Sequence, residues 1–172
     1  MRRLALIVLP LALVACGAPS PIQIGGDAPD FTAVDLATGK SIDFRTAYAG
    51  SVTLVNIWAT WCGPCKEEIP ALDSLYRALE PQGFRLAAVS IDTDDSTQVR
   101  KFIDQYHVAF DVLHDQDGTI QQIYQTTGVP ESFLVDRHGK LLRIVYGAAP
   151  WTSASNRRIV EQLLEEQRVA AR

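Results

Sequence analysis

The chain has 172 residues, 47% of them apolar and 21% charged, with a formal net charge of −4 at pH 7. That length suits one α/β domain with a short addition and is enough to bury a core unaided. An acidic chain with scattered basic residues is not built to bind nucleic acid, and no collagen-like, disordered or multi-span membrane composition fits.

The N-terminus reads as an address. Met1-Arg2-Arg3 is a short basic stretch, and residues 4–14 are an apolar run broken by Pro10. A membrane-spanning helix needs roughly 20 such residues, so the run reads as the apolar region of an export signal. It ends in Leu13-Val14-Ala15-Cys16, which resembles the bacterial lipoprotein processing box. The resemblance implies a signal peptide over 1–15 and a diacylated Cys16 at the mature N-terminus. Two acyl chains anchor a protein where one holds it only marginally. The competing reading is an ordinary export signal whose cysteine is a bystander. Residues 17–26 carry three glycines, two prolines and no charge, which makes residues 16–26 a lipidated cysteine with a flexible linker. The domain then runs from 27 to 172.

Along that domain the hydrophobic period alternates. Residues 30–36 and 41–44 flank the turn Thr38-Gly39-Lys40 and predict an N-terminal β-hairpin. Residues 52–58 are nearly all apolar and β-branched, as in a central strand covered on both faces. From 62 to 79 the period shifts, with Ile69, Leu72, Leu75, Tyr76 and Leu79 on one helical face. Residues 84–91 predict another buried strand and 97–106 a helix. A short strand at 111–113 and a short helix at 118–125 follow. Residues 132–135 and 141–146 predict two strands joined by a hairpin turn. A last helix spans 153–168, capped by Thr152 or Ser153. Strands alternating with helices imply a mixed central sheet flanked by helices, with the 111–125 segment as a βα-type insertion.

Three cysteines cannot staple a domain of this size. Cys62 and Cys65 stand two residues apart in Trp61-Cys62-Gly63-Pro64-Cys65, after a strand and at the start of a helix. A thiol there faces free backbone N–H groups and the positive end of the helix dipole, which favour the nucleophilic thiolate. Cys62 is therefore expected to be partly exposed and acidic, with Cys65 one turn deeper and placed to resolve a mixed disulfide. Structural zinc is the rival for such a pair, but it wants four ligands. His107, His114 and His138 lie far apart and are expected on the surface or in turns, so no metal site is predicted. Glu68 lies three residues after Cys65 on the same side of the helix. It is a candidate to take the proton that Cys65 loses, against the reading of a plain surface glutamate.

With these motifs the chain resembles the thioredoxin superfamily, and is similar within it to the membrane-tethered TlpA, ResA and DsbE-like group. The likeness covers about residues 27–168 and is most specific at 54–70 and 128–139. It implies a thioredoxin fold and a cis bond at Val129–Pro130 beside the thiols. Trp61, Gly63, Pro64, Val129, Pro130 and Glu131 would then meet the substrate, with Glu131 adding negative potential at the mouth of the site and Trp61 shielding the thiols. Pro70 matches the kinked active-site helix of the family, and Glu68 matches a family acid. Asn56 stands where ordinary thioredoxins carry a buried aspartate, which shifts weight onto Glu68.

The resemblance implies an extracytoplasmic, membrane-anchored thiol:disulfide oxidoreductase with no cofactor beyond its own Cys62–Cys65 disulfide. It would reduce protein disulfides, apocytochrome c among them, and be recharged by a membrane electron donor of DsbD or CcdA type. Gly-Pro between the cysteines is the composition of reducing members. The rivals are a disulfide oxidase or isomerase on the same fold, a thiol peroxidase, and a non-catalytic lipoprotein that binds a metal or ligand. Ala59, three residues before Cys62, replaces the Thr or Ser that a peroxidase would want.

Overall fold

The structure is a computed structural model that describes residues 21–94 and 96–170. The segment expected to be a signal peptide, residues 1–15, and the expected lipidation site Cys16 lie outside the described residues.

Seven strands form one sheet: β1 (Thr32–Asp35), β2 (Ser41–Asp43), β3 (Val52–Trp58), β4 (Phe84–Ser90), β5 (Asp111–His114), β6 (Glu131–Val135) and β7 (Leu141–Tyr146). Their order is β2-β1-β5-β4-β3-β6-β7. The three central neighbours β3, β4 and β5 run parallel. β6 and β7 are antiparallel on one side, and β1 and β2 antiparallel on the other. This is the expected mixed sheet. Every residue of β3 is buried, because a central strand between covered faces has no solvent side on which to place a polar residue. Leu54 and Ile57 are fully buried there, each contributing roughly 1.5–3 kcal/mol of apolar burial.

The helices are α1 (Phe44–Ala47), α2 (Gly63–Leu79), α3 (Thr97–Tyr106), α4 (Thr119–Ile123) and α5 (Ala154–Ala170). The one-turn α1 is absent from the sequence reading. Its start is fixed by Asp43, whose carboxylate accepts the Thr46 N–H at 2.9 Å. That is a capping signal too short to stand out beside the hairpin. Helix α2 buries Cys65, Glu68, Ile69, Leu72, Leu75, Tyr76 and Leu79, a stripe at steps of three and four. It continues through Pro70. Proline has no N–H, so the Lys66 carbonyl loses its ordinary helical partner there. Helix α5 opens at the Ser153 hydroxyl, which accepts the Asn156 N–H at 3.3 Å.

The last residues of the expected linker belong to the domain. Gly25 N–H donates to Leu141 O at 2.7 Å, and Leu141 N–H donates to Gly26 O at 2.9 Å. Asp27 bridges to Lys140 in the backbone, and their side chains pair at 2.9 Å. His107 and His138 are exposed as expected, but His114 is not. It is 6% exposed in β5, and its Nε2 donates to the Asp92 carbonyl at 2.8 Å. His114 is the last residue of β5, one beyond the strand expected at 111–113, and its partner lies 22 residues away in sequence.

Candidate active site

The site forms where β3 ends. Ile57, near the end of β3, pairs with Glu131 at the start of β6. The residues leaving β3 therefore meet the residues entering β6, and those are Cys62 and Val129–Pro130. The Val129–Pro130 bond is cis. Val129 O lies 3.5 Å from Cys62 Sγ.

Cys62 is the N-cap of α2, in extended backbone conformation, with Gly63 and Pro64 as the first helical residues. Proline is suited to that first turn, where its missing N–H would have had no helical partner. The Cys65 N–H points at Cys62 Sγ at 3.2 Å. A disulfide joins Cys62 to Cys65, whose Cα atoms are 5.3 Å apart. One helical turn suffices to bring the two sulfurs together. Cys62 is less open than expected at 5% exposure, and Cys65 has 1%. Gly63 and Pro64 are exposed beside them, and the Trp61 indole is 66% exposed. Trp61 thus presents an apolar surface to solvent rather than enclosing the sulfurs. Trp58 is core.

Glu68 is not a surface glutamate. It is 3% exposed, and its Oε1 accepts the Trp151 indole N–H at 2.5 Å and the Ala149 N–H at 2.9 Å. Its Oε2 faces Asn56 Nδ2 at 3.4 Å, and the same Nδ2 donates to Ser132 Oγ at 2.9 Å. Burial pushes the Glu68 carboxyl above the ordinary glutamate range, and the three donors pull it part of the way back. Such a group is poised to take up a proton nearer neutrality than a free glutamate would.

Glu131 departs from expectation. It is 2% exposed, and its carboxylate accepts the Thr127 N–H at 3.1 Å. Burial raises its pKa, while the Thr127 and Gly128 amides lower it. The side chain closes the turn that carries Val129; it does not project negative charge into the mouth. Directly after a turn proline, a glutamate looks solvent-facing in the sequence, yet two free amides upstream give it a buried use.

A second carboxylate braces the loop ahead of Cys62. Asp92 is 5% exposed and accepts from Thr60 Oγ1 at 2.5 Å, Thr60 N at 3.0 Å and Ser90 Oγ at 2.6 Å. Sequence reading singled out neither this brace nor Trp151, Ala149 and Ser132. Asp92 stands two residues past the buried β4, which was a visible signal. Trp151 carried none, because it reaches Glu68 from 83 residues away. Among the described residues no group of three or more His, Cys, Asp or Glu side chains is arranged to hold a metal ion, and no helix is long and apolar enough to cross a membrane.

Residues 24–144 match the AhpC/TSA family. The chain is 35% identical over 126 residues to the thiol-disulfide oxidoreductase ResA of Bacillus thuringiensis subsp. konkukian, covering 73% of this chain and 71% of that one. It is 32% identical over 127 residues to the protein of the same name in Geobacillus thermodenitrificans, again over 73% and 71%. Among solved structures it is similar to a putative thiol:disulfide interchange protein DsbE from Chlorobium tepidum. There the TM-score is 0.72 at 31% identity, over 85% of this chain and 98% of that one. With a cysteine pair closed at a helix N-terminus beside a cis proline, and with these relatives, the chain belongs to the AhpC/TSA family of the thioredoxin superfamily and is a thiol-disulfide oxidoreductase of the ResA and DsbE type.

Proposed function

We propose that this oxidoreductase works as a reductant of protein disulfides outside the cytoplasm, held at a membrane through lipidated Cys16. The observation that carries the direction is the buried Glu68 carboxyl one turn beyond Cys65. A buried acid beside the couple disfavours a second negative charge on sulfur. It thereby destabilises the reduced pair relative to the disulfide, and a couple that prefers its disulfide gives electrons away.

In the cycle, the Cys62 thiolate attacks one sulfur of a substrate disulfide. A substrate thiolate leaves and takes up a proton, and a mixed disulfide remains. The Cys65 thiol passes its proton to Glu68 and attacks Cys62 Sγ, releasing the second substrate thiolate. Two electrons have moved to the substrate, and the enzyme holds the Cys62–Cys65 disulfide. A membrane dithiol donor of DsbD or CcdA type would restore the reduced pair, and the pair needs no other cofactor. The Val129 carbonyl next to Cys62 offers an edge to the backbone of an extended substrate, with Trp61, Gly63 and Pro64 beside it. Apocytochrome c fits as substrate because its haem-binding cysteines must be free. Peroxide chemistry has less support, since position 59 offers a buried methyl group and no hydroxyl.

A Cys65→Ser variant would hold the Cys62 mixed disulfide on its substrate, and mass spectrometry would identify the captured protein. Partners lacking a haem-binding cysteine pair would overturn the cytochrome assignment. Equilibration with glutathione tests the direction. A potential below about −200 mV is expected, and one near −120 mV would make the protein an oxidant.

A further inference from the structure

The buried amide of Asn56 lies between β3 and the Glu68 carboxyl with one of its two polar atoms unpartnered. Its Nδ2 faces both Glu68 Oε2 and Ser132 Oγ. Its Oδ1 is buried and meets no donor among the described residues. A buried amide oxygen without a donor costs about 1–3 kcal/mol, so the amide is served on its nitrogen side and not on its oxygen side in this state.

The two oxygens of Glu68 are not equivalent. Oε1 already accepts from two groups that can only donate, a backbone N–H and an indole N–H. A proton placed on Oε1 would point at one of those donors. A proton arriving at Glu68 is therefore confined to Oε2, the oxygen with the single long contact. There it meets Asn56 Nδ2, which is also a donor. Oε2 can go on accepting from that Nδ2, but the new O–H finds no acceptor in the amide as it stands.

A half-turn about χ2 supplies that acceptor. It brings Oδ1 round to Oε2, where it accepts the new O–H. The Ser132 hydroxyl both donates and accepts, so it reverses and donates to the same Oδ1. The amide nitrogen moves to the side where the oxygen had no partner. An aspartate at position 56 would lack the donor, and an aliphatic residue would lack both groups.

We propose that Asn56 is the positioning residue for the Glu68 proton, presenting Nδ2 to the ionised carboxylate and, turned over about χ2, Oδ1 to the protonated acid. This rests on reading Glu68 as the acceptor of the Cys65 proton. The groups packed around Glu68 fit that assignment. Cys65 lies one turn earlier on α2, while Lys66 and Glu67 on that helix are exposed. β3 gives the neutral Asn56 and β6 the neutral Ser132. Glu131, also on β6, is turned to the Thr127 and Gly128 amides. The segment after β7 gives only N–H donors. No charged side chain enters the perturbation of Glu68, which comes from burial and these hydrogen bonds.

The test is nuclear magnetic resonance on the reduced full-length protein, with carboxyl-labelled glutamate and amide-labelled asparagine. The Glu68 carboxyl is titrated while contacts of the Asn56 Nδ2 protons are followed. The expected result is a contact from those protons to Ser132 Hβ above the Glu68 midpoint and its loss below it, with one shared midpoint. The same contact on both sides of the midpoint would overturn the proposal. An Asn56→Asp variant is expected to move the Glu68 midpoint alkaline by about one pH unit or more, because two carboxyls then share one site. An unmoved midpoint would also overturn it. The underlying reading fails separately, if Glu68→Gln leaves the rate of Cys65 attack unchanged.

Discussion

Replacing Trp151 by Phe probes the Glu68 environment with little else disturbed. Trp151 is 2% exposed, and Phe keeps a ring in that site while removing the indole N–H that lies 2.5 Å from Glu68 Oε1. A hydrogen bond to a charged group contributes about 1.5–3 kcal/mol, which corresponds to about 1–2 pH units in the ionisation it supports. The bond favours the ionised carboxyl, so its loss raises the Glu68 pKa beyond the elevation that burial already causes. For a carboxyl raised on folding, stability from that group is full at low pH and is lost as pH rises through the folded pKa. The variant has the larger elevation and loses more. Its deficit against the parent is therefore small on the acid side, where only the missing ring volume counts. The deficit grows by about 1.5–3 kcal/mol above both pKa values. Urea unfolding of the oxidised proteins over a pH series measures this directly, since the disulfide removes the thiols from the titration. A deficit that is constant across pH would refute the assignment of the indole to an ionising carboxylate.

Three further outcomes are expected. Glu68→Gln should slow resolution of the mixed disulfide by about 10²-fold, the low end for a lost general base, while leaving the first attack by Cys62 close to its parent rate; rapid chemical quench with a model disulfide separates the two steps. Glu131→Ala should lower the unfolding free energy by about 1–3 kcal/mol, because the Thr127 and Gly128 amides lose their acceptor. Glu131→Gln keeps an acceptor and removes a raised carboxyl, so its thermal midpoint should gain on the parent as pH increases through the Glu131 pKa. Asp92→Asn offers one acceptor oxygen where three donors now meet two, and should cost about 1–3 kcal/mol in urea unfolding; an unchanged midpoint would show that Thr60 is held by something else.

The parts of the architecture that were legible in the sequence are those whose cause is local. The all-apolar run of β3, the stripe of α2 and the turn between β6 and β7 each follow from period and turn chemistry. The boundaries of α3 and β7 agree with the reading to the residue. Glu68 could be found because it sits on the buried stripe of α2, three residues from Cys65. Its donors could not. Ala149 and Trp151 follow β7, and only the pairing of β6 with β3 and of β7 with β6 brings that segment over the start of α2. Glu131 and His114 were misplaced for one shared reason. A polar side chain reads as exposed until its partner is known, and those partners were a backbone turn and the carbonyl of Asp92. The one-turn α1 escaped because four residues carry no periodicity.

The hydrogen bonds of Gly25 and Gly26 with Leu141 have a spatial consequence. Leu141 sits at the end of β7 that faces Val135, whereas Tyr146 sits at the end that faces Glu131. At about 3.4 Å per residue, the polypeptide thus joins the body about 17 Å along β7 from the end beside Glu131, which is the redox pole. A pull applied upstream would orient the body with its sulfurs outward, leaving that pole open.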